Sequence, residues 1–157
     1  MFSTTCEHAL RALAYLARVP EGVSVLGRDL AVAADIPANY LSKILLALRN
    51  AGFIATTRGS GGGYRLSKPA RDITLIEVVE LFDKGRAVPH CLLGGSWPCS
   101  DDNPCTAHKA WHHVREAYTH FLQSTRLDEI SCHEPVPSPE QGPAAAREAQ
   151  QRGGARS

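Results

Sequence analysis

The sequence lacks most of what marks a chain for a membrane or for export. No apolar run approaches the length that a bilayer span requires. The opening, "MFSTTCEHALRALAYLARV", has no basic leader and no small-residue cleavage pattern. The expectation is a soluble, cytoplasmic protein with no membrane partner. A large net charge is also missing: the total is +1, so the chain as a whole is no trap for polyanions. No internal repeat is present, which sets repeat architectures aside. The run "GSGGG" is not followed by G-K-[ST], so it is not a P-loop. What remains is 157 residues, enough for one domain with a real core.

One local absence is informative. Between Ile36 and Arg71 there is no acidic residue, against six basic ones: Lys43, Arg49, Arg58, Arg65, Lys68 and Arg71. One-signed charge over a short stretch is the footprint of a phosphate-contacting surface.

The element pattern agrees. Thr4 to Arg18 reads as a helix, with Thr4 and Glu7 spaced as a capping box and Ala9, Leu10, Leu13, Leu16 and Ala17 at helical spacing. Leu26 to Ala34 reads as a short second helix, with Leu30 and Ala31 inward. "DIP" breaks it, and Pro37 suits the first turn of a third helix. That helix should turn Tyr40, Leu41, Ile44, Leu45 and Leu48 inward and stop at Gly52. "FIATT" and "YRLS" flank the glycine run as a β-hairpin. "DITLIEVVELFD" is a further helix capped by Asp72 or Thr74, with Leu75, Val78, Val79 and Phe82 on one face.

A long helix over residues 107–123 follows, with an apolar stripe of Ala107, Ala110, Trp111, Val114, Ala117, Tyr118, Phe121 and Leu122. From His133 to Ser157 the chain has too few apolar residues to offset its ordering entropy, and disorder is expected. The fold class is mainly α with a small β-hairpin: a winged helix-turn-helix over residues 1–132.

A tri-helical unit need not bind DNA, but this order of elements together with this charge favours it. Asn39, Ser42 and Lys43 then lie near the start of the recognition helix, where Asn pairs with adenine and Lys donates to guanine. Tyr40 and Arg49 belong to the same helix. Arg58 stands before the hairpin tip, within reach of phosphates or a minor groove. Gly61, Gly62 and Tyr64 complete the wing, where glycine lets a backbone come close.

Between the last two helices lies "CLLGGSWPCSDDNPCTAH". Its three cysteines fall within fifteen residues, Cys91 to Cys105, and the chain has five in all. In a reducing compartment such a cluster points to a metal or redox site rather than a disulfide framework. Scattered buried cysteines suit Cys6 and Cys132 better than this polar loop. Thiolates are soft ligands, fit for an iron–sulfur cluster or zinc. The spacing C-x7-C-x5-C has no tight pair roughly two to four residues apart, as structural zinc usually has. Zinc through Cys91, Cys99, Cys105 and His108 stays an alternative, as does a metal-free thiol switch. A Cys–His enzyme is disfavoured, because no oxyanion or orienting motif accompanies His112 and His113.

The segments "EHALRALAYLA", "IPANYLSKILLALRNAGFI" and "RGSGGGYRLSKPARDITLIEVVE", with the cysteine triplet, resemble the winged-helix transcription regulators that include IscR, NsrR and RirA. The resemblance covers roughly Met1 to Ser131. It implies a homodimer with crossing C-terminal helices, double-stranded promoter DNA as partner, and a 2Fe–2S or 4Fe–4S cluster on Cys91, Cys99 and Cys105. It implies DNA affinity set by iron, redox state or nitric oxide. The spacing is of the RirA kind, whereas His108 and Trp111 match IscR-like positions.

Three cysteines leave a cluster one ligand short. His108 is near in sequence and imidazole is an established ligand. Glu7 matches the family position from which an acidic residue of the second subunit reaches the cluster in NsrR-like members. Cys6 points roughly 100° away from Glu7 on the same helix. His108 is favoured and Glu7 comes next.

Overall fold

A computed structural model gives the fold, describing residues 2–59, 62–84, 89–93 and 99–130. Gly61, Cys132 and the tail 133–157 lie outside these residues. Five helices and one hairpin follow in order: α1 (Thr4–Arg18), α2 (Gly27–Ala33), α3 (Ala38–Asn50), β1 (Ile54–Thr57), β2 (Gly63–Leu66), α4 (Leu75–Asp83) and α5 (His108–Ser124).

α1 is the central element. Cys6, Ala9, Leu10, Leu13 and Leu16 recur every three or four residues and are all buried, and the helix packs against α3, α4 and the segment after α5. Its cap differs from the sequence expectation. Ser3, not Thr4, is the N-cap: its Oγ accepts from the Cys6 N–H at 3.1 Å. Thr4 is already helical, so the Thr4–Glu7 box does not form, and Glu7 is exposed.

α2 and α3 form the helix-turn-helix. Asp35 takes a left-handed φ of 52° between them, a conformation Asp tolerates better than most residues. The turn lets the Ile36 N–H reach the Ala31 carbonyl at 2.9 Å and buries Ile36. Pro37 caps α3 rather than opening its first turn. At the far end Gly52 has φ +81°, and the Phe53 N–H returns to the Leu48 carbonyl at 3.0 Å. That is a Schellman closure, which needs a residue at ease in this region.

β1 and β2 pair antiparallel, Ile54 opposite Leu66 and Thr57 opposite Gly63. The wing is stitched to the residues before α2 by two bonds between Val25 and Tyr64, at 2.8 and 2.9 Å. A Cβ on Gly63 would stand 2.4 Å from the Val25 carbonyl oxygen, so glycine is required there by the chain's own packing.

Thr74 caps α4, its N–H and Oγ both donating to Glu77 Oε2 at 2.7 and 2.8 Å. The chain after α5 returns to this point, with the Leu75 N–H on the Thr125 carbonyl and the Leu127 N–H on Ile73. Ile73, Val78, Leu122 and Leu127 close the core there, each 0% exposed. No single described helix is long and apolar enough to cross a membrane.

Candidate metal centre and DNA surface

On α3 the buried stripe is Leu41, Ile44, Leu45 and Leu48. Asn39, Ser42, Lys43 and Arg49 are exposed, as a reading face requires. Tyr40 was expected inward and is 55% exposed. It sits roughly 90° from the middle of the buried stripe at 100° per residue, and its ring meets the His8 ring edge-on at 6.4 Å. Ser42 Oγ donates to the Ala38 carbonyl at 3.0 Å, leaving its oxygen lone pairs outward.

Arg58 is exposed at the end of β1. Tyr64 and Gly62 are half-buried, and Tyr64 packs on the core. Of the six basic residues, Lys68 is engaged internally, 3.0 Å from Glu77 and over the Phe53 ring. The Glu77 carboxyl is held below its ordinary value: burial raises it, but the Thr74 N–H and Lys68 outweigh that.

The three loop cysteines come together, although seven and five residues separate them. The Sγ atoms of Cys91, Cys99 and Cys105 all lie within 4.8 Å of one another. Cys91 and Cys105 are 4.0 Å apart, about twice the length of a sulfur–sulfur bond. Cys99 is 5% exposed and the other two are half-buried. A Cys105 backbone hydrogen bond pulls the Cys99 thiol down. Desolvation and the sulfurs of Cys105 and Cys91 outweigh it and hold the thiol above its ordinary value. Without a cation the Cys99 thiol resists losing its proton; a cation reverses that balance.

α5 organises the loop. His108, in its first turn, brings Nδ1 to 3.2 Å from Cys99 Sγ, touching the triad at one corner. His108 Nε2 lies 2.9 Å from Asp101 Oδ1. The His108 bond, first, and its charge hold the Asp101 carboxyl below its ordinary value. Further along α5, Trp111 Nε1 donates to the Pro89 carbonyl at 3.0 Å. Arg115 donates to His90 Nδ1 and to the His90 carbonyl at 2.9 and 3.2 Å. His90 Nε2 in turn reaches the Cys99 carbonyl at 3.0 Å.

His108, Trp111 and Arg115 follow at i, i+3 and i+7, one line of a helix. They grip both ends of the cysteine loop. Sequence reasoning missed Asp101, His90 and Arg115. The available signal was that spacing of hydrogen-bonding side chains immediately after the cysteines.

Neither remaining ligand candidate joins the triad within one chain. Cys6 is 0% exposed beside Asp83, and burial, then Asp83, pushes its thiol up to about 12. Glu7 is on the exposed side of α1.

A helix-turn-helix with a glycine-tipped wing, carrying a thiol cluster against its last helix, defines a winged-helix regulator with a candidate metal centre. Residues 2–133 match the model of Rrf2, described as an iron-dependent transcriptional regulator, and the chain belongs to that family. A chain of Aquifex aeolicus (strain VF5) bearing the name of an HTH-type transcriptional regulator is 32% identical over 132 residues, 83% of this chain and 90% of its own. The HTH-type transcriptional regulator IscR of Cronobacter sakazakii (strain ATCC BAA-894) is 30% identical over 129 residues, 82% of this chain and 78% of its own. CymR, the global cysteine regulator of B. subtilis, shares the fold with a TM-score of 0.69 at 24% identity, over 83% of this chain and 95% of CymR. The protein is a transcription regulator of the DNA-binding helix-turn-helix class, not an enzyme.

Proposed function

We propose that this protein is a cytoplasmic, homodimeric regulator whose affinity for promoter DNA is set by an iron–sulfur cluster on Cys91, Cys99 and Cys105. The observation that carries the reading is the gathering of three thiols to within 4.8 Å of one another on a winged helix. The donor set fits: soft thiolates with an imidazole at one corner are ligands for such a cluster. His108 is the fourth ligand we favour, since its Nδ1 already stands beside Cys99. Glu7, exposed on α1, is the second choice, offered across the dimer. When bound, an iron–sulfur cluster supplies a centre sensitive to iron supply, redox state or nitric oxide. Asn39, Tyr40, Ser42, Lys43 and Arg49 would meet DNA from α3, and Arg58, Gly61, Gly62 and Tyr64 from the wing.

One observation favours a second reading. A tetrahedral ion with sulfur at about 2.3 Å spaces its ligands by roughly 3.8 Å, and Cys91 and Cys105 stand 4.0 Å apart. The spacing of this pair therefore suits a single zinc ion. The same two sulfurs also suit a thiol switch closing to a disulfide. The test is the metal content of anaerobically purified protein. The cluster reading expects iron with acid-labile sulfide and a coloured protein, lost on replacing Cys91, Cys99 or Cys105 by Ala but retained in Cys132→Ala. Stoichiometric zinc without sulfide establishes the second reading instead.

A further inference from the structure

The metal-site reading leaves Asp101 without a task. It is a surface residue, its side chain 92% exposed, yet it holds a histidine whose side chain is only 15% exposed. An ionised carboxylate can only accept a hydrogen bond. The proton between Asp101 Oδ1 and His108 Nε2, 2.9 Å apart, therefore belongs to the imidazole. In the neutral ring Nδ1 is then unprotonated, and it is Nδ1 that stands 3.2 Å from Cys99 Sγ. Without this bond the ring is at liberty to place the proton on Nδ1, facing the sulfur and closing the site to a cation. The neighbouring contacts do not do this work: Arg115 holds His90, whose Nε2 reaches the backbone carbonyl of Cys99, and Trp111 holds Pro89.

We propose that Asp101 is a positioning residue of the metal centre, which holds His108 as the Nε2–H tautomer so that the Nδ1 lone pair faces Cys99 and the thiol triad. It acts through the imidazole and not on the metal. The proposal rests on the metal-site reading but is indifferent to whether a cluster or a single ion is bound. A hydrogen-bonded carboxylate behind a ligating imidazole commonly changes metal affinity by about 10–100-fold.

Cobalt(II) is a suitable probe, because its thiolate bands report the site directly and require no sulfide. Reduced, metal-free protein is titrated with Co2+ under nitrogen against a competing chelator. Asp101→Ala and Asp101→Asn are made in the wild type and in His108→Ala. The proposal expects Asp101→Ala to weaken Co2+ by about 10–100-fold and to shift the ligand-field bands. Asp101→Asn, whose amide oxygen still accepts, should lose less. Neither change should have further effect once His108 is Ala. Equal losses in both backgrounds overturn it, since Asp101 would then act through the loop. Unchanged affinity in Asp101→Ala, or an unaltered site in His108→Ala, also overturns it while leaving the thiol site standing. A wild-type protein with no cobalt–thiolate bands overturns the metal-site reading and the proposal together.

Discussion

Among the described residues Asp83 is the buried acid, 6% exposed at the C-terminal end of α4. A negative charge is unwelcome there, because the end of a helix already carries partial negative charge. The start of α1 compensates: the Ser3 N–H donates to Asp83 Oδ2 at 2.8 Å. One carboxylate thus fastens the two helices end to end. Cys6 lies against it, and burial and then Asp83 raise its thiol from 9.0 to about 12. A thiol in this state is a poor nucleophile. Native, metal-free protein treated with iodoacetamide near neutral pH should be alkylated at Cys91 and Cys105, the half-buried loop cysteines, while Cys6 stays unmodified until denaturant is added. Peptide mass spectrometry checks this, and fast native labelling of Cys6 contradicts it. The raised value also has a sign for stability. Between about 9 and 12 the unfolded chain has lost a proton that the folded chain keeps. Stability from Cys6 is therefore complete below about 9 and falls as pH rises toward 12. Cys6→Ala should flatten that alkaline decline in urea unfolding, relative to the wild type.

At the scale of elements, the division of labour between α3 and the wing is testable. α3 presents Asn39 and Lys43 outward from its first two turns, where a recognition helix meets base edges. Base contacts carry sequence discrimination, whereas phosphate contacts carry affinity and salt dependence. Asn39→Ala and Lys43→Ala should each relax preference at particular base pairs, costing about 1–3 kcal/mol where the contact is bidentate. Arg58→Ala, beyond the end of β1, should weaken all sequences alike and flatten the salt slope by about one unit. Binding isotherms on a cognate site, single-base variants and random DNA at several salt concentrations separate the two. Site selectivity untouched by both α3 changes removes this helix as the reader. The wing is held by main-chain bonds to Val25 and a close approach at Gly63. Arg58 therefore projects from a hairpin with a defined seat.

At the scale of the whole molecule, α5 has two faces. One, through His108, Trp111, Arg115 and Leu122, meets the chain's own loop and core. The other carries Ala110, Val114, Ala117 and Phe121 at three- and four-residue spacing, and all four are exposed, Val114 by 55% and Phe121 by 46%. An apolar stripe of this kind costs free energy in water and is offset by association. In the proposed homodimer it is the face on which a second copy would sit. Tyr118 is a poor place to test it, because the ring packs on Phe2 at 6.0 Å and on the core. Val114→Glu is the cleaner change. Sedimentation should show a monomer with unaltered far-UV circular dichroism and weaker binding to a two-half-site DNA. A dimer that survives this change places the subunit interface elsewhere.

Much of the fold was legible because it is written in local periods. Apolar residues recurring at helical spacing located α1, α3 and α4, and glycines between two β-prone runs located the wing. The basic stretch from Lys43 to Arg71 is a property of composition alone. The family resemblance followed from contiguous strings of residues. Tertiary structure decided what depends on partners distant in the chain. Ser3 and Thr4 are both good caps, and it is Asp83, eighty residues on, that holds the Ser3 N–H. Tyr40 is apolar enough to be read as core, but its angular place beside the stripe and the His8 ring keep it at the surface. The cysteine loop has no period to read. Its path is set by the line His108, Trp111 and Arg115 on α5, which draws in Cys99, Pro89 and His90. Spacing along the chain named the three thiols, but their approach to 4.8 Å, and Asp101 behind His108, come from that long-range grip. A helix repeats its geometry at every turn, whereas a loop takes its geometry from whatever it is fastened to.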